Sequence, residues 1–282
     1  MMAVCIAALS ACATHTPVHT PMREGSAWTT GVEALAREVW LPAQLSAASY
    51  SRDAPYPFDQ HVRNLQPSRL DPSGMAFRVD LVATGDGNET LVVAFRGSEA
   101  GSLRDIREDW VWGNLLGGQN DNALRAFDAV RARWGHDAAG RPRHVVVTGH
   151  SLGGALATHI SLNRPDVTSH VFNSSPRFWN MHDHANRRTS TVEYGEILKL
   201  LRLPFPEPTQ LYTSLNCVFG RAPVRDHSID QLALCLTDIA AQSGDARASA
   251  SLRLLGEAAN GAAPEQGRVA PQVRTTRPVN PK

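Results

Sequence analysis

The sequence has almost no excess of charge of either sign. Lys and Arg number 28 and Asp and Glu 27, so no global field gathers nucleic acid or strongly anionic polymers, and nucleic-acid binding is not expected. Cysteine is scarce. Of the four, Cys5 and Cys12 fall in the apolar amino terminus and Cys217 and Cys235 in the body, at a spacing that fits no zinc motif, so no metal is expected. No G-x-G-x-x-G opens a helix, which removes the usual nucleotide fingerprint and leaves no cofactor implied. Past the amino terminus, no apolar run approaches the roughly 20 residues that a membrane span needs.

The amino terminus is apolar from Met1 to Ala13 and contains Leu9-Ser10-Ala11-Cys12. It resembles a bacterial lipoprotein signal, although no Lys or Arg precedes Arg23 to form the basic n-region of such leaders. The resemblance implies that Cys12 is lipidated. The expected location is then the bacterial cell envelope, in the periplasm or at a membrane surface through N-terminal acylation; a plain cleaved signal would imply secretion. In an exported chain Cys217 and Cys235 suit a disulfide. Closing a loop of that length stabilises by about 3 kcal/mol in the chain-entropy model. Two buried free thiols are the alternative.

Four segments follow from composition: a signal or lipobox over 1–12, a Pro, Thr and Ser-rich linker over 13–32, a domain over 33–258, and a Pro, Arg and Gln-rich tail over 259–282 expected to be disordered. One domain suits this length. Within it, apolar residues recur at helical spacing from Gly31 to Tyr50. Met75 to Ala83 alternates as a strand, and Gly85-Asp86-Gly87-Asn88 turns it into a second strand over Leu91 to Phe95. A helix is predicted over 121–134 and a buried strand over His144 to Thr148. A Gly and Ala-rich helix follows Ser151, then strands over 167–173 and 189–194. Such alternation predicts an α/β class, with a mostly parallel central sheet flanked by helices.

Gly149-His150-Ser151-Leu152-Gly153-Gly154 lies between the most apolar strand and a helix, the setting of a nucleophile elbow. A side chain at 149 or 153 would collide with the neighbouring strand and helix. A serine hydroxyl is a weak nucleophile until a base takes its proton and an acid orients that base. In the Ser, acid, His order of an α/β-hydrolase, His227 is the histidine that follows the strand expected to deliver the acid. Glu196, just past the 189–194 strand, is the favoured acid, with Glu193 and Asp183 as alternatives. Charge developing on the attacked carbonyl needs preset donors. Leu152 supplies a backbone N–H, and Ser98, after the Phe95-Arg96-Gly97 strand end, is the second oxyanion candidate.

Ala94-Phe95-Arg96-Gly97-Ser98, the elbow, and Ser175-Pro176-Arg177 together resemble the class 3 lipase family of α/β-hydrolases, over about residues 45–235. The resemblance implies an α/β-hydrolase fold and lipid or related ester substrates, triacylglycerol or phospholipid. It also implies that Ser98 donates to the oxyanion and that Arg96 is structural, tied to Asp109. The sequence departs from the family at the acid, where Gly195-Glu196-Ile197 stands in place of an Asn-Asp-Pro-type segment. Ser102 to Leu116, with Trp110 and Trp112, occupies the position of a lid, and a helix packing its tryptophans into the core is the competing reading. The expected activity is a serine carboxylester hydrolase working through an acyl-enzyme. The alternatives are a silent envelope-associated binding protein on the same fold, or another acyl-transfer enzyme such as a thioesterase or acyltransferase.

Overall fold

The computed structural model describes residues 18–19, 23–24, 27–50, 57–70, 75–97, 118–175, 185–194, 198, 209, 211–217 and 227–261. Among these, ten strands and five helices run in chain order. The strands are β1 (Val18–His19), β2 (Arg23–Glu24), β3 (Ala27–Trp28), β4 (Val62–Leu70), β5 (Ala76–Ala83), β6 (Glu89–Phe95), β7 (His144–His150), β8 (Val167–Phe172), β9 (Arg188–Glu193) and β10 (Leu211–Leu215). The helices are α1 (Thr30–Ala48), α2 (Gly118–Trp134), α3 (Leu152–Asn163), α4 (Ile229–Gln242) and α5 (Ala246–Gly261).

Eight strands form one sheet in the order β1-β10-β9-β8-β7-β6-β5-β4. β5 pairs antiparallel with both β4 and β6, whereas β6, β7, β8, β9, β10 and β1 are mutually parallel. This is the expected α/β class, with the predicted hairpin seen as β5 and β6. β2 and β3 form a separate two-stranded pair. The stretch with linker composition thus contributes β1 to the sheet edge, and α1 begins inside it, with the Thr29 hydroxyl accepting the N–H of Val32 as N-cap.

Alternation along the central strands sorts side chains onto two buried faces. Leu91, Val93, Phe95, Val145, Val147 and Val171 pack with Phe127 of α2 and Leu156 and Ile160 of α3. Val92, Ala94 and Val146 pack against Leu45 of α1, while Phe172 and Leu215 join Val39 of α1 and Leu232 and Leu236 of α4. A strand covered on both sides reads as a continuous apolar run, which is why β7 is legible in the sequence. Thr148 and then His150 follow Val146 at intervals of two, on the face covered by α1 and α4. The Thr148 hydroxyl meets Ser46 Oγ of α1 at 2.8 Å. Among the described residues no helix is long and apolar enough to cross a membrane.

β4, β10 and α5 are not legible in the sequence. β4 is an edge strand with Pro67 inside it and register shifts on either side of Gln66, so it shows no clean alternation. β10 is five residues with polar positions in the middle, too short to carry a period.

Candidate active site

β7 ends at His150, α3 starts at Leu152, and Ser151 makes the turn between them with φ 57° and ψ −125°. A positive φ on a serine costs on the order of 1–3 kcal/mol and persists only where the surroundings enforce it. They do so through the backbone. The Ser151 N–H donates to the Phe172 carbonyl at 3.1 Å, and the Ser151 carbonyl accepts from the N–H groups of Gly154 and Ser175, both at 3.0 Å. The glycines act sterically: a Cβ on Gly149 would stand 2.4 Å from the Gly153 carbonyl oxygen, and one on Gly153 would stand 2.2 Å from the Phe95 carbonyl oxygen. α3 therefore starts directly against the end of β6. Leu152 opens that helix with a backbone N–H belonging to the positive helix terminus, where a developing anion is stabilised.

His227 lies just before α4, whose N-cap Ser228 accepts the N–H of Gln231 at 3.5 Å. It is buried and held against the elbow. The ring of His150 lies 4.6 Å from the ring of His227, centroid to centroid, and His150 Nε2 is 2.7 Å from the His227 carbonyl oxygen. On its other side His150 Nδ1 is 3.0 Å from the Tyr50 hydroxyl, which in turn accepts the Gly97 N–H at 2.9 Å. Tyr50 follows the end of α1. Burial pushes its hydroxyl well above the usual phenol range, with the bond from Gly97 and the nearby Arg96 opposing the shift. The Arg96 guanidinium sits over the Tyr50 ring at 5.6 Å.

The structure brings Ser151, Leu152 and His227 to the carboxyl ends of the parallel strands, the side of an open α/β sheet where ligands bind. Ser98, Glu196, Asp183, Cys12, Asp109, Arg177 and the 102–116 segment with Trp110 and Trp112 lie outside the described residues. Glu193 is described. It is buried as the last residue of β9, opposite Leu215, and its N–H donates to Asn173 Oδ1 at 2.8 Å. Asn173, at the end of β8, adopts a φ of 41°.

Cys217 and Cys235 are disulfide-bonded across a separation of 18 residues, joining the segment after β10 to α4. His227 falls inside the loop they close. Sequence reasoning missed Tyr50 and His150. The signal at His150 was its place in the elbow on an inward-facing position of β7; Tyr50 carried no local signal, because its partners lie 47 and 100 residues away. Among the described residues no group of three or more His, Cys, Asp or Glu is arranged to hold a metal ion.

A family model described as a phospholipase-like, Tle-like phospholipase domain matches residues 35–191. Among solved structures the chain is similar to a triacylglycerol lipase from Penicillium expansum, at 17% identity and a TM-score of 0.43, covering 64% of this chain and 80% of that one. It is similar to lipase II from Rhizopus niveus at 15% identity and a TM-score of 0.45, covering 61% and 76%. Brefeldin A esterase, a bacterial homologue of human hormone-sensitive lipase, superposes at 14% identity and a TM-score of 0.34, covering 84% and 91%. No curated protein sequence gives a significant match.

Proposed function

The chain belongs to the Tle-like phospholipase domain family, over more than half its length, and from that premise we propose that it hydrolyses carboxyl esters of phospholipids and related lipids through an acyl-enzyme on Ser151. The observation that carries this reading is the left-handed Ser151 at the junction of β7 and α3, with His227 held against the residue beside it.

Ser151 Oγ attacks the ester carbonyl carbon while His227 removes its proton. The carbonyl oxygen takes up negative charge facing the Leu152 N–H and Ser98, and removing one such donor costs about 3–4 kcal/mol of transition-state stabilisation. Collapse breaks the carbon–oxygen ester bond. The alcohol leaves with the proton from His227, and the acyl group stays on Ser151. Water then attacks the acyl carbon and gives its proton to His227. The fatty acid departs as that proton returns to Ser151. Glu196 is the acid that orients His227 in this scheme, with Glu193 and Asp183 as its competitors. Lipidation of Cys12 would hold the enzyme at an envelope membrane beside such substrates, a reading supported by the Leu9-Ser10-Ala11-Cys12 run.

The test is hydrolysis of nitrophenyl esters of increasing chain length and of a phospholipid, alongside Ser151→Ala and His227→Ala. Loss of activity in both variants with retained folding supports the triad. Glu196→Gln, compared with Glu193→Gln and Asp183→Asn, identifies the acid. A folded wild type that cleaves none of the esters and resists fluorophosphonate labelling overturns the reading in favour of a silent binding protein.

A further inference from the structure

Three chain segments must be aligned at this site: the end of β6 leading to the oxyanion residue, the elbow, and the segment carrying the base. A single line of hydrogen bonds joins all three. Its direction is set by which atoms can donate. The His227 carbonyl oxygen can only accept, so His150 Nε2, 2.7 Å away, carries a proton. A neutral imidazole protonated there has a bare Nδ1, which accepts. At the other end the Gly97 N–H can only donate, so the Tyr50 oxygen accepts from it at 2.9 Å, and of the two acceptors within reach of the Tyr50 proton, His150 Nδ1 at 3.0 Å is nearer than the His150 carbonyl oxygen at 3.4 Å. The line runs from the Gly97 N–H through the Tyr50 hydroxyl and the His150 ring to the carbonyl of His227. The upward shift of the Tyr50 hydroxyl by burial keeps it protonated as the donor this line requires.

The packing leaves little freedom around the line. A Cβ on Gly97 would stand 2.6 Å from the Tyr50 hydroxyl oxygen, 2.5 Å from the His150 carbonyl oxygen and 3.0 Å from Ser151 Cβ. Tyr50 grips the N–H of Gly97, the residue that precedes Ser98 in the chain. The carbonyl that His150 grips belongs to the base itself, and the elbow serine is the next residue after His150.

We infer that Tyr50 and His150 are positioning residues that couple the end of β6 at Gly97 to His227, setting how these two segments lie about Ser151. The inference rests on the reading of the chain as a serine hydrolase. A bridge that acts on alignment alters turnover rather than substrate binding, and a misplacement on the order of 1 Å costs up to about 100-fold in rate.

Five proteins test it, each assayed for kcat, KM and Tm on one nitrophenyl ester: wild type, Tyr50→Phe, His150→Asn, His150→Gln and the double variant Tyr50→Phe/His150→Asn. Tyr50→Phe keeps the ring and removes the hydroxyl. His150→Asn keeps an acceptor near the Nδ1 position and loses the reach to His227, whereas the longer amide of His150→Gln restores a donor at that carbonyl. The expected result is a fall in kcat of about 10- to 100-fold for Tyr50→Phe and His150→Asn with KM within about threefold, and recovery of most of the loss in His150→Gln. The double variant is expected to be no worse than about the poorer single one, because residues acting as one unit are not additive. Wild-type kcat in Tyr50→Phe, no rescue by glutamine, or multiplicative losses in the double variant would overturn the bridge while leaving the hydrolase reading standing. An inactive wild type that resists fluorophosphonate labelling overturns both.

Discussion

Gly153 and Phe95 are in such close contact that a methyl group on Gly153 would stand 2.2 Å from the Phe95 carbonyl oxygen. The first turn of α3 is thereby pressed against the end of β6, bringing the Leu152 N–H beside the strand that leads to Ser98. The glycine is a spacing element between the start of α3 and the end of β6, and its replacement by a larger residue separates them.

Gly153→Ala is therefore expected to push α3 away from β6. Overpacking of this kind costs about 1–3 kcal/mol, and the displaced elbow lowers kcat by on the order of 100-fold. Thermal denaturation and the rate of fluorophosphonate labelling of Ser151 measure the two effects separately. A variant that labels at the wild-type rate would show that the contact is not required for the site.

The Cys217–Cys235 bond encloses His227 in the loop it closes. Reduction, or Cys217→Ser with Cys235→Ser, is expected to lower stability by about 3 kcal/mol and, on the proposed role of His227, to reduce kcat, since the segment carrying His227 loses its tether. Urea midpoints with and without reductant, with activity followed below the transition, check this. Equal activity of the reduced, still folded protein would separate the bond from the base.

His170 lies on β8 with its ring on Thr189 Oγ1 at 2.9 Å and near Glu38 at 3.9 Å. Burial lowers its imidazole from 6.5 to about 4; Glu38 opposes this and Arg187 adds to it. The unfolded chain takes up a proton near pH 6.5 that the folded protein refuses until about pH 4. Stability is then full above about pH 6.5 and falls as pH drops toward about 4, by about 3 kcal/mol at the limit. Urea midpoints at about pH 7.5 and about pH 5 are expected to differ clearly in the wild type and much less in His170→Gln. Parallel losses in the two proteins would assign the pH dependence to other groups.

Asp80 is fully buried. It receives Nε and Nη2 of Arg78 at 2.7 and 2.6 Å and Nδ2 of Asn64 at 2.9 Å. Asp80→Ala strands the Arg78 charge and is expected to cost about 3–5 kcal/mol, while Arg78→Met with Asp80→Leu costs less than the single change. The kcat of the folded fraction is expected to stay at the wild-type value, because the pair lies on the opposite side of β6 from the elbow strand. Equal losses in the single and double variants would show that the stranded charge is not the cause.

Legibility from sequence tracks the range of the interaction. The elbow needs only a strand, a turn too tight for side chains at 149 and 153, and a helix, all within consecutive residues. β5, β6, β7 and α1 are visible because burial on one or both faces writes a period or an unbroken apolar run into the chain. β10 is not, since Leu211 to Leu215 is shorter than any period and is ordered by pairing with β9. β1 lies in a stretch with linker composition and joins the sheet only because β10 offers an edge.

The sequence alone determined the α/β class and the tight turn at Ser151 between β7 and α3, because these depend on local sterics and on chain order. Only the tertiary structure decided which groups stand around that serine. Tyr50 meets His150 because α1 covers the face onto which β7 turns its even-numbered residues, and His150 meets His227 because α4 packs beside α1 on that same face. Contacts between residues 50, 97, 150 and 227 are set by sheet order and layer packing, which no short window of residues encodes.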